Sequence, residues 1–292
     1  MELSACVRDA DYEAWRSVRL AVVPYERCGT VEELRARDAS RLMLLAHHDG
    51  ALVGHGLAGR AESADSAFVM PRVLPQHRRH GIGGALLEAL AEHCSTLGVP
   101  TVRAKVDDEE SFAFAQRFGF AEVDREVEQV RAVADLPAPP ALPEGVEVVT
   151  SAERPGLWED AYDRFGREAL AGFAVDTPLE VTPEQWATIW LGDPVFLALH
   201  EDEVIGCAGL LRDTDQPTRA ENALTAVRRD WRGRGIAVHL KLRALAWAAA
   251  HDIDQLYTWT QDGNAAMRTL NERLGYTTSR TSISVARTLP LS

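Results

Sequence analysis

Two short segments combine arginine with small residues at a spacing that suits phosphate binding. One runs from Arg78 to Gly83 and the other from Arg232 to Ala237, and both read Arg-x-x-Gly-x-Gly/Ala at the predicted start of a helix. The first turn of a helix exposes unpaired backbone N–H groups and the positive end of the helix dipole. Small residues let an anion approach that backbone, and the arginine adds positive charge. Each segment therefore predicts a cradle for a diphosphate.

Two other phosphate-binding motifs do not match these segments. A dinucleotide-binding loop would need Gly-x-Gly-x-x-Gly near the chain start and an acidic residue about 20 positions later. A P-loop would need Gly-Lys-Ser/Thr, which the sequence lacks. The remaining alternative is a pair of glycine-containing helix starts without a ligand. We favour binding because the segment occurs twice, at the same place in the same order of elements.

The elements that position the two cradles follow one order in both halves of the chain. The first half predicts strands and helices at 3–8 (strand), 11–22 (helix), 41–59 (hairpin), 67–73 (strand), 82–97 (helix), 99–106 (strand) and 109–118 (helix), with strands from Gly119. The second half predicts them at 146–149 (strand), 157–170 and 183–191 (helices), 195–211 (hairpin), 224–227 (strand), 240–249 (a helix that the Arg232–Ala237 segment leads into), 256–260 (strand) and 265–274 (helix). This duplication predicts two related domains.

A proline-rich segment separates the halves. Four prolines lie close together at Pro137, Pro139, Pro140 and Pro143. Proline fixes φ and removes a hydrogen-bond donor, so the segment favours an extended spacer. The sequence therefore predicts domains at 1–135 and 146–292 with a linker at 136–145.

Composition narrows the class of function. The 292 residues are 46% apolar and carry a net charge of −13. An acidic surface disfavours nucleic acid and anionic membrane. It would attract cationic amines, although solubility alone also accounts for the net charge. The four cysteines have no metal-ligand spacing, the N-terminus does not read as a signal peptide, and no apolar run is long enough to span a membrane. We expect a cytoplasmic protein without a metal site, either a monomer or a homodimer.

With these motifs, the chain resembles the GNAT (GCN5-related N-acetyltransferase) superfamily in a tandem, two-domain form. Members carry Gln/Arg-x-x-Gly-x-Gly/Ala after their fourth strand, then an Asn-bearing segment and a Gly-Phe/Tyr pair. The matching residues are Gly119, Phe120, Asn264, Gly275 and Tyr276. The resemblance implies an α/β (α+β) fold in which each domain is a mixed, mostly antiparallel twisted sheet flanked by helices. It also implies direct transfer from acetyl-CoA to a primary amine of a small molecule, in a ternary complex.

The resemblance assigns cofactor-binding residues in both halves. Val73 and Val227, with the preceding Arg72 and Ala226, would pair with the pantetheine arm of coenzyme A, and Asn264 would lie beside the coenzyme. The pyrophosphate would meet Arg78, Arg79, Gly81, Gly83 and Gly84 in the first half, and Arg232, Arg234, Gly235, Ala237 and Val238 in the second.

Catalysis is assigned to the second half. Many members use a tyrosine as the acid, and its position holds Ala115 in the first half and Asn271 in the second. Asn271 can hydrogen-bond the sulfur or the carbonyl, whereas Ala115 cannot. The acidic run 107–110 would also sit poorly beside phosphates. We therefore expect the first half to be a degenerate copy that binds coenzyme A without turnover or only packs against the second.

The sequence offers several candidates for the general base and for the acceptor pocket. Glu221 is our first choice for the base, with Thr225 near the acetyl group, although a solvated strand-end carboxylate is as good a reading of Glu221. Other candidates are Asp213, Asp215, His200 and His55. The predicted helices of the second half are rich in aromatic residues that could face an amine or pack on the sheet: Trp158, Tyr162, Phe165, Phe173, Trp186 and Trp190.

Two other functions stay open at this level. Both sites could be catalytically silent, which would make the chain an acyl-CoA-binding regulatory protein. A peptide or protein N-acetyltransferase is the other alternative, and it predicts an open groove in place of a closed pocket.

Overall fold

The chain divides into two compact units. A computed structural model describes residues 1–36, 41–61, 65–172, 181–188 and 194–291. The N-unit comprises Met1–Asp124 and Ser282–Ser292, and the C-unit comprises Arg125–Thr281. Each unit contains one cradle, so the duplication seen in the sequence is a duplication of structure.

The helices and strands alternate along the chain. The first part contains β1 (Glu2–Ala5), α1 (Asp9–Val22), α2 (Val31–Ala36), β2 (Leu42–His48), β3 (Ala51–Arg60), β4 (Ser66–Val73), α3 (Ile82–Thr96), β5 (Thr101–Val106), α4 (Glu109–Arg117) and β6 (Ala121–Ala132). The second part contains β7 (Val146–Thr150), α5 (Leu157–Asp160), α6 (Arg167–Ala171), α7 (Pro183–Thr188), β8 (Val195–His200), β9 (Glu203–Arg212), β10 (Arg219–Val227), α8 (Ile236–Ala249), β11 (Gln255–Gln261), α9 (Ala265–Arg273) and β12 (Thr277–Thr288). A π-helical turn over Tyr162–Gly166 lies between α5 and α6.

The sheets of the two units have the same strand order. In the N-unit the strands lie in the order β1-β2-β3-β4-β5, and in the C-unit in the order β7-β8-β9-β10-β11. Neighbouring strands are antiparallel except β4 with β5 and β10 with β11, which are parallel. These mixed, mostly antiparallel sheets with flanking helices confirm the predicted fold class.

The sixth strand of each sheet comes from the other half of the chain. Residues 126–132 of β6 pair with β11 in the C-unit, and residues 283–288 of β12 pair with β5 in the N-unit. The division therefore differs from the expected boundaries at 135 and 146. Alternating apolar residues predict a strand, but they do not say which sheet edge the strand joins.

The main helix of each unit packs closely on its sheet. Leu90 of α3 is fully buried, and a Cβ at Gly56 of β3 would come within 3.1 Å of it. In the C-unit Leu240 of α8 is buried, and a Cβ at Gly206 of β9 would lie 3.3 Å from it. A side chain at either glycine would push the helix away, and with it the cradle at the start of that helix.

Within the described part of the chain, no helix combines the length and apolar character needed to cross a membrane.

Candidate functional site

The strands β4 and β5 separate halfway along their length. Their pairing ends at Phe68 and Arg103, although β4 continues to Val73. Leu74 N–H donates to the Val53 carbonyl at 2.9 Å. Backbone groups alternate in direction along a strand, so those of Pro71 and Val73 point away from β3 and towards β5. Proline has no N–H for a ladder on that side, which accounts for the opening.

The N-unit cradle lies beside this opening. Arg79 and Gly81 have φ values of +66° and +79°, and such alternation turns successive N–H groups towards one point. The first bond within α3 runs from Ala85 N–H to the Gly81 carbonyl at 3.1 Å, so the amides of 82–84 have no partner within the helix. A Cβ at Gly81 would meet no atom within 4 Å, so an anion can approach the backbone there.

The opening and the cradle form one cleft of about 480 Å³. Every N-unit residue predicted to bind the cofactor lines it: Arg72, Val73, Arg78, Arg79, Gly81, Gly83 and Gly84. Its apolar lining includes Pro71, Leu87, Ala115 and Phe120. The cleft thus joins a cationic, amide-rich end to an apolar interior.

Three carboxylates of the acidic run 107–110 beside this cleft have local partners. Asp108 caps α4 by accepting from Ser111 N–H at 2.6 Å, and Glu110 lies 3.3 Å from Arg78. Asp107 accepts from the Tyr25 hydroxyl at 2.9 Å and lies 3.6 Å from Arg72. Burial, and then the Asp107 carboxylate, raise the pKa of Tyr25, so its hydroxyl stays protonated. The run supports the local structure, which the sequence alone did not indicate.

The corresponding opening of the C-unit is made differently. Pairing between β10 and β11 ends at Glu221 and Tyr257, and a β-bulge between Asn222 and Thr225 follows in β10. The extra residue changes the register with β9 and bends the strand. Arg228 N–H donates to the Ile205 carbonyl at 2.8 Å, so the backbone groups of Thr225 and Val227 point away from β9.

The C-unit cradle has the same backbone shape but a neighbour in front of it. Gly233 and Gly235 have φ values of +74° and +83°. The Pro140 ring would lie 3.8 Å from a Cβ at Gly235, and the Pro140 carbonyl lies 2.8 Å from Nδ1 of His239 in α8. The proline-rich segment therefore packs against the start of α8, whereas the sequence predicted an extended spacer.

The sequence matches the Acetyltransferase (GNAT) family over residues 7–120 and again over 158–276. The chain belongs to the GNAT family. It is 29% identical over 260 residues to a mycothiol acetyltransferase of Mycolicibacterium vanbaalenii, with 83% of this chain and 82% of that protein covered. It is 29% identical over 266 residues to a mycothiol acetyltransferase of Geodermatophilus obscurus, with 85% and 82% covered.

Solved GNAT structures share the tandem architecture. A tandem GNAT protein from the clavulanic acid biosynthesis pathway superposes with a TM-score of 0.79 at 20% identity, covering 98% of each chain. A GCN5-related N-acetyltransferase from Sphaerobacter thermophilus superposes with a TM-score of 0.76 at 19% identity, covering 98% of this chain and 95% of that one. As a GNAT member with these relatives, the protein is an acyl-CoA-dependent N-acetyltransferase.

One predicted role in this GNAT protein needs correction. Arg72 and Ala226 were expected to share the pairing with pantetheine. Their backbone groups point to β3 and β9 instead, because Leu74 and Arg228, two residues on, bond to those strands. In either unit the free edge is therefore formed by alternate residues: Pro71 and Val73, and Thr225 and Val227.

The arginines of the two cradles are held alike. Arg78 Nε donates to the Val73 carbonyl at 3.4 Å, and Arg232 Nε donates to the Val227 carbonyl at 2.9 Å. The Arg234 guanidinium lies 4.6 Å from the centre of the Trp231 ring. Ala237 and Val238 are half-buried in the first turn of α8, where the N-unit has Gly83 and Gly84.

Of the predicted catalytic residues of the C-unit, Glu221 and Thr225 lie on β10 at the opening. Asn271 has a structural partner, and so does Asn264, which was predicted to lie beside the coenzyme. Asn271 is fully buried, and its amide donates to Gln129 Oε1 at 2.9 Å. Asn264 caps α9 by accepting from Met267 N–H at 3.2 Å. Glu221 is half-buried at the last position of β10 that pairs with β11, while Thr225 follows the bulge. Their catalytic roles stay predictions.

The alternative bases have other surroundings. Asp213 is buried, and its Oδ1 accepts from the N–H groups of Asp215 and Gln216 at 3.0 and 3.3 Å, which shapes a turn. Burial lowers the pKa of His55 well below its ordinary value, so this imidazole is neutral. The His200 ring packs 4.6 Å from that of Trp231, measured between centroids. The surroundings of Asp213 and His200 are those of structural residues.

The aromatic residues of the C-unit form core. Trp158 and Trp186 stack with centroids 3.8 Å apart, and each indole N–H donates to the other's carbonyl. Tyr162 and Phe165 belong to the same buried cluster. Phe173 and Trp190 lie outside the described residues. The described aromatic residues therefore pack on the sheet, which is one of the two arrangements expected from the sequence; the other was a wall that faces an amine.

Sequence reasoning missed three residues at the openings. Pro71 was visible as a proline inside a predicted strand, which is uncommon away from an edge. Pro140 gave no signal of the contact with His239. Lys241 is one of two lysines in the chain, and it occupies the helix position that holds Leu87 in the N-unit. That substitution could have been found by aligning the two halves.

Proposed function

We propose that this GNAT protein transfers an acetyl group from acetyl-CoA to a primary amine of a small molecule, with the coenzyme held in the N-unit cleft. The observation that carries the proposal is the shared cleft of the cradle and the free edge of β4. The residues there fit a CoA thioester, because Gly81 has a positive φ, carries no Cβ and faces open space.

The chain's own residues supply binding and orientation. The amides of 82–84 and the Arg79 guanidinium bind the diphosphate, and the backbone of Val73 hydrogen-bonds the pantetheine arm as an added strand would. Apolar contacts with Leu87 and Phe120 exclude water from the thioester. The coenzyme supplies the activated acyl group, which passes directly to the acceptor in a ternary complex.

The proposed acceptor is a small amine. The relatives are named mycothiol acetyltransferases, and a net charge of −13 favours the approach of a cationic acceptor. An unperturbed amine is mostly protonated at neutral pH, so a basic group or a water chain must take a proton before attack. An assay of thiol release from acetyl-CoA over a panel of amines identifies the acceptor.

Matched variants test where the coenzyme binds. Gly83→Val puts a side chain over the first-turn amides of α3, and Ala237→Val makes the corresponding change in α8. Calorimetry with CoA is expected to show affinity reduced about 100-fold or more by Gly83→Val and little changed by Ala237→Val, since one charged group loses several hydrogen bonds. Binding lost only in Ala237→Val would move the coenzyme to the C-unit, which the sequence favoured for catalysis. No binding by the wild type would refute the proposal.

A second candidate function concerns the N-unit alone, which would bind acyl-CoA as a regulatory domain without turnover. It is favoured by Ala115 in the position of the family's acidic tyrosine and by the missing N–H of Pro71. A thiol-release assay with acetyl-CoA over an amine panel separates the two. Amine-dependent thiol release that is lost in Gly83→Val supports transfer in the N-unit, whereas release that persists in Gly83→Val although CoA binding is weakened supports a regulatory N-unit.

A further inference from the structure

Three positions that line the N-unit cleft with apolar side chains carry polar ones in the C-unit. Pro71, Leu87 and Phe120 line the N-unit cleft. Counting from the cradle glycines and from the Gly-Phe/Tyr pairs, the corresponding residues are Thr225, Lys241 and Tyr276. Each change replaces an apolar side chain with one that carries a hydrogen-bond donor.

Lys241 is deeply buried there. Only 1% of this residue is exposed, and its Nζ donates to Asn222 Oδ1 while lying 5.2 Å from the centre of the Tyr276 ring. Asn222 precedes the bulge of β10, and its own amide donates to the Gly209 carbonyl at 3.1 Å. The ammonium group therefore lies between β10 and the start of β12, at the base of the opening.

Two further hydrogen-bond donors of the C-unit lack acceptors. Among the described residues, the Tyr276 hydroxyl and the Thr225 hydroxyl are closed from solvent and have no hydrogen-bond partner. An ammonium has three N–H donors, and Asn222 Oδ1 takes one of them. Buried polar groups in folded proteins are nearly always paired, so such a cluster indicates a missing acceptor. A group with two acceptor oxygens and a negative charge matches it.

We propose that the C-unit binds a small carboxylate group at Lys241, Tyr276 and Thr225. The ammonium neutralises its charge, and the two hydroxyls donate to its oxygens. The site differs from the acetyl-CoA cleft of the N-unit, and the inference does not depend on which unit transfers the acetyl group. The carboxylate belongs either to a free small acid or to the end of an acyl chain.

The protonation states agree with this chemistry. Burial lowers the pKa of Lys241 to about 7 and raises that of Tyr276, so the phenol remains a donor. A bound carboxylate favours the charged amine, so it must raise the pKa of Lys241. By linkage, affinity is highest below the pKa of the free amine and falls as the pH rises above it.

The two lysines of the chain make a direct test possible. With ¹³C-labelled lysine the protein gives two side-chain Cε signals, and Lys105→Arg identifies that of Lys241. Acetate is the probe, neutral acetamide is its matched control, and succinyl-CoA presents the carboxylate on an acyl chain. Acetate or succinyl-CoA is expected to raise the pKa of Lys241 by about one unit or more in a saturable way.

Two variants complete the experiment. Tyr276→Phe introduces the residue found at Phe120, and Thr225→Val removes the other hydroxyl, so each is expected to weaken binding about tenfold. A response to acetate indicates a free acid, and a response to succinyl-CoA alone indicates an acyl chain. A Lys241 signal that ignores both, or that moves equally with acetamide, overturns the proposal and leaves a structural buried lysine. So does a response unchanged in both variants.

Discussion

The N-unit and the C-unit open the same pair of strands by different means. In the N-unit a proline lies where the ladder with β5 would continue. In the C-unit a β-bulge of β10 against β9 follows the last pair that β10 makes with β11. Proline removes a donor, whereas a bulge keeps every donor and turns it aside. One architecture therefore tolerates two sequence solutions, and they differ in the N–H groups left for chemistry.

The interiors of the two openings differ more than their cradles. Leu87 and Phe120 make the N-unit cleft apolar, while Lys241 and Tyr276 place donors at the corresponding positions of the C-unit. The cradle backbones have nearly the same φ values. Two loops of one backbone shape thus coexist with side chains of different polarity behind them.

Removing the buried charge gives the largest expected effect. The pKa of Lys241 is about 7 in the fold, against 10.5 for an ordinary lysine. Between these pH values the unfolded chain binds more protons, so the unfolding free energy of the wild type rises with pH, by about 1.4 kcal/mol per unit at most. Lys241→Leu removes that slope, and its advantage over the wild type is greatest near pH 7.

Urea denaturation at several pH values between 7 and 10 measures this slope. Lys105→Leu is the matched control, because Lys105 is exposed and its removal is expected to keep the wild-type slope. Equal slopes in the wild type and Lys241→Leu would show that the buried amine does not titrate in this range.

Restoring a backbone donor to the N-unit tests which opening performs chemistry. Pro71→Ala returns an N–H that points into the cleft, where it can polarise the acetyl carbonyl. Loss of one such donor costs about 100-fold in kcat in other acyl-transfer enzymes, so a gain of about tenfold is expected. Thr225→Pro, the reverse change in the C-unit, is expected to leave kcat unaltered. A fall in kcat with Thr225→Pro alone would place transfer in the C-unit.

The cradle arginines offer a smaller, paired test. Arg78→Met is expected to weaken CoA binding about tenfold, because one charged hydrogen-bond donor to the phosphates is lost. Arg232→Met changes the same position in the C-unit and is expected to have little effect. Calorimetry compares both with the wild type, and equal losses would indicate that both cradles hold coenzyme.

The smallest effect concerns the carboxylate beside Arg78. Glu110 lies 3.3 Å from Arg78, and both side chains are partly exposed. Glu110→Gln frees the guanidinium for phosphate and is expected to tighten CoA binding about two- to threefold, since solvent screens such pairs. Added salt is expected to reduce the difference between variant and wild type. Weaker binding by Glu110→Gln would mean that Glu110 positions the arginine.

Much of the fold could be predicted from local patterns. The two helix starts at Ile82 and Ile236, the strands before them and the shared order of elements follow from hydrophobic period and glycine placement. The cradle residues of the N-unit were all brought to one cleft. The catalytic assignments stay predictions. Asn271 was chosen from its position in the motif, which does not reveal that its amide donates to Gln129.

The sequence by itself determined the duplication, the class of fold and the two glycine-containing helix starts, because these depend on residues close together along the chain. Only the tertiary structure decided which sheet receives β6 and β12, that Pro140 packs against the start of α8, and that Lys241 is buried beside Tyr276. Those features join residues far apart in sequence, and their energies come from packing and burial that no local pattern records.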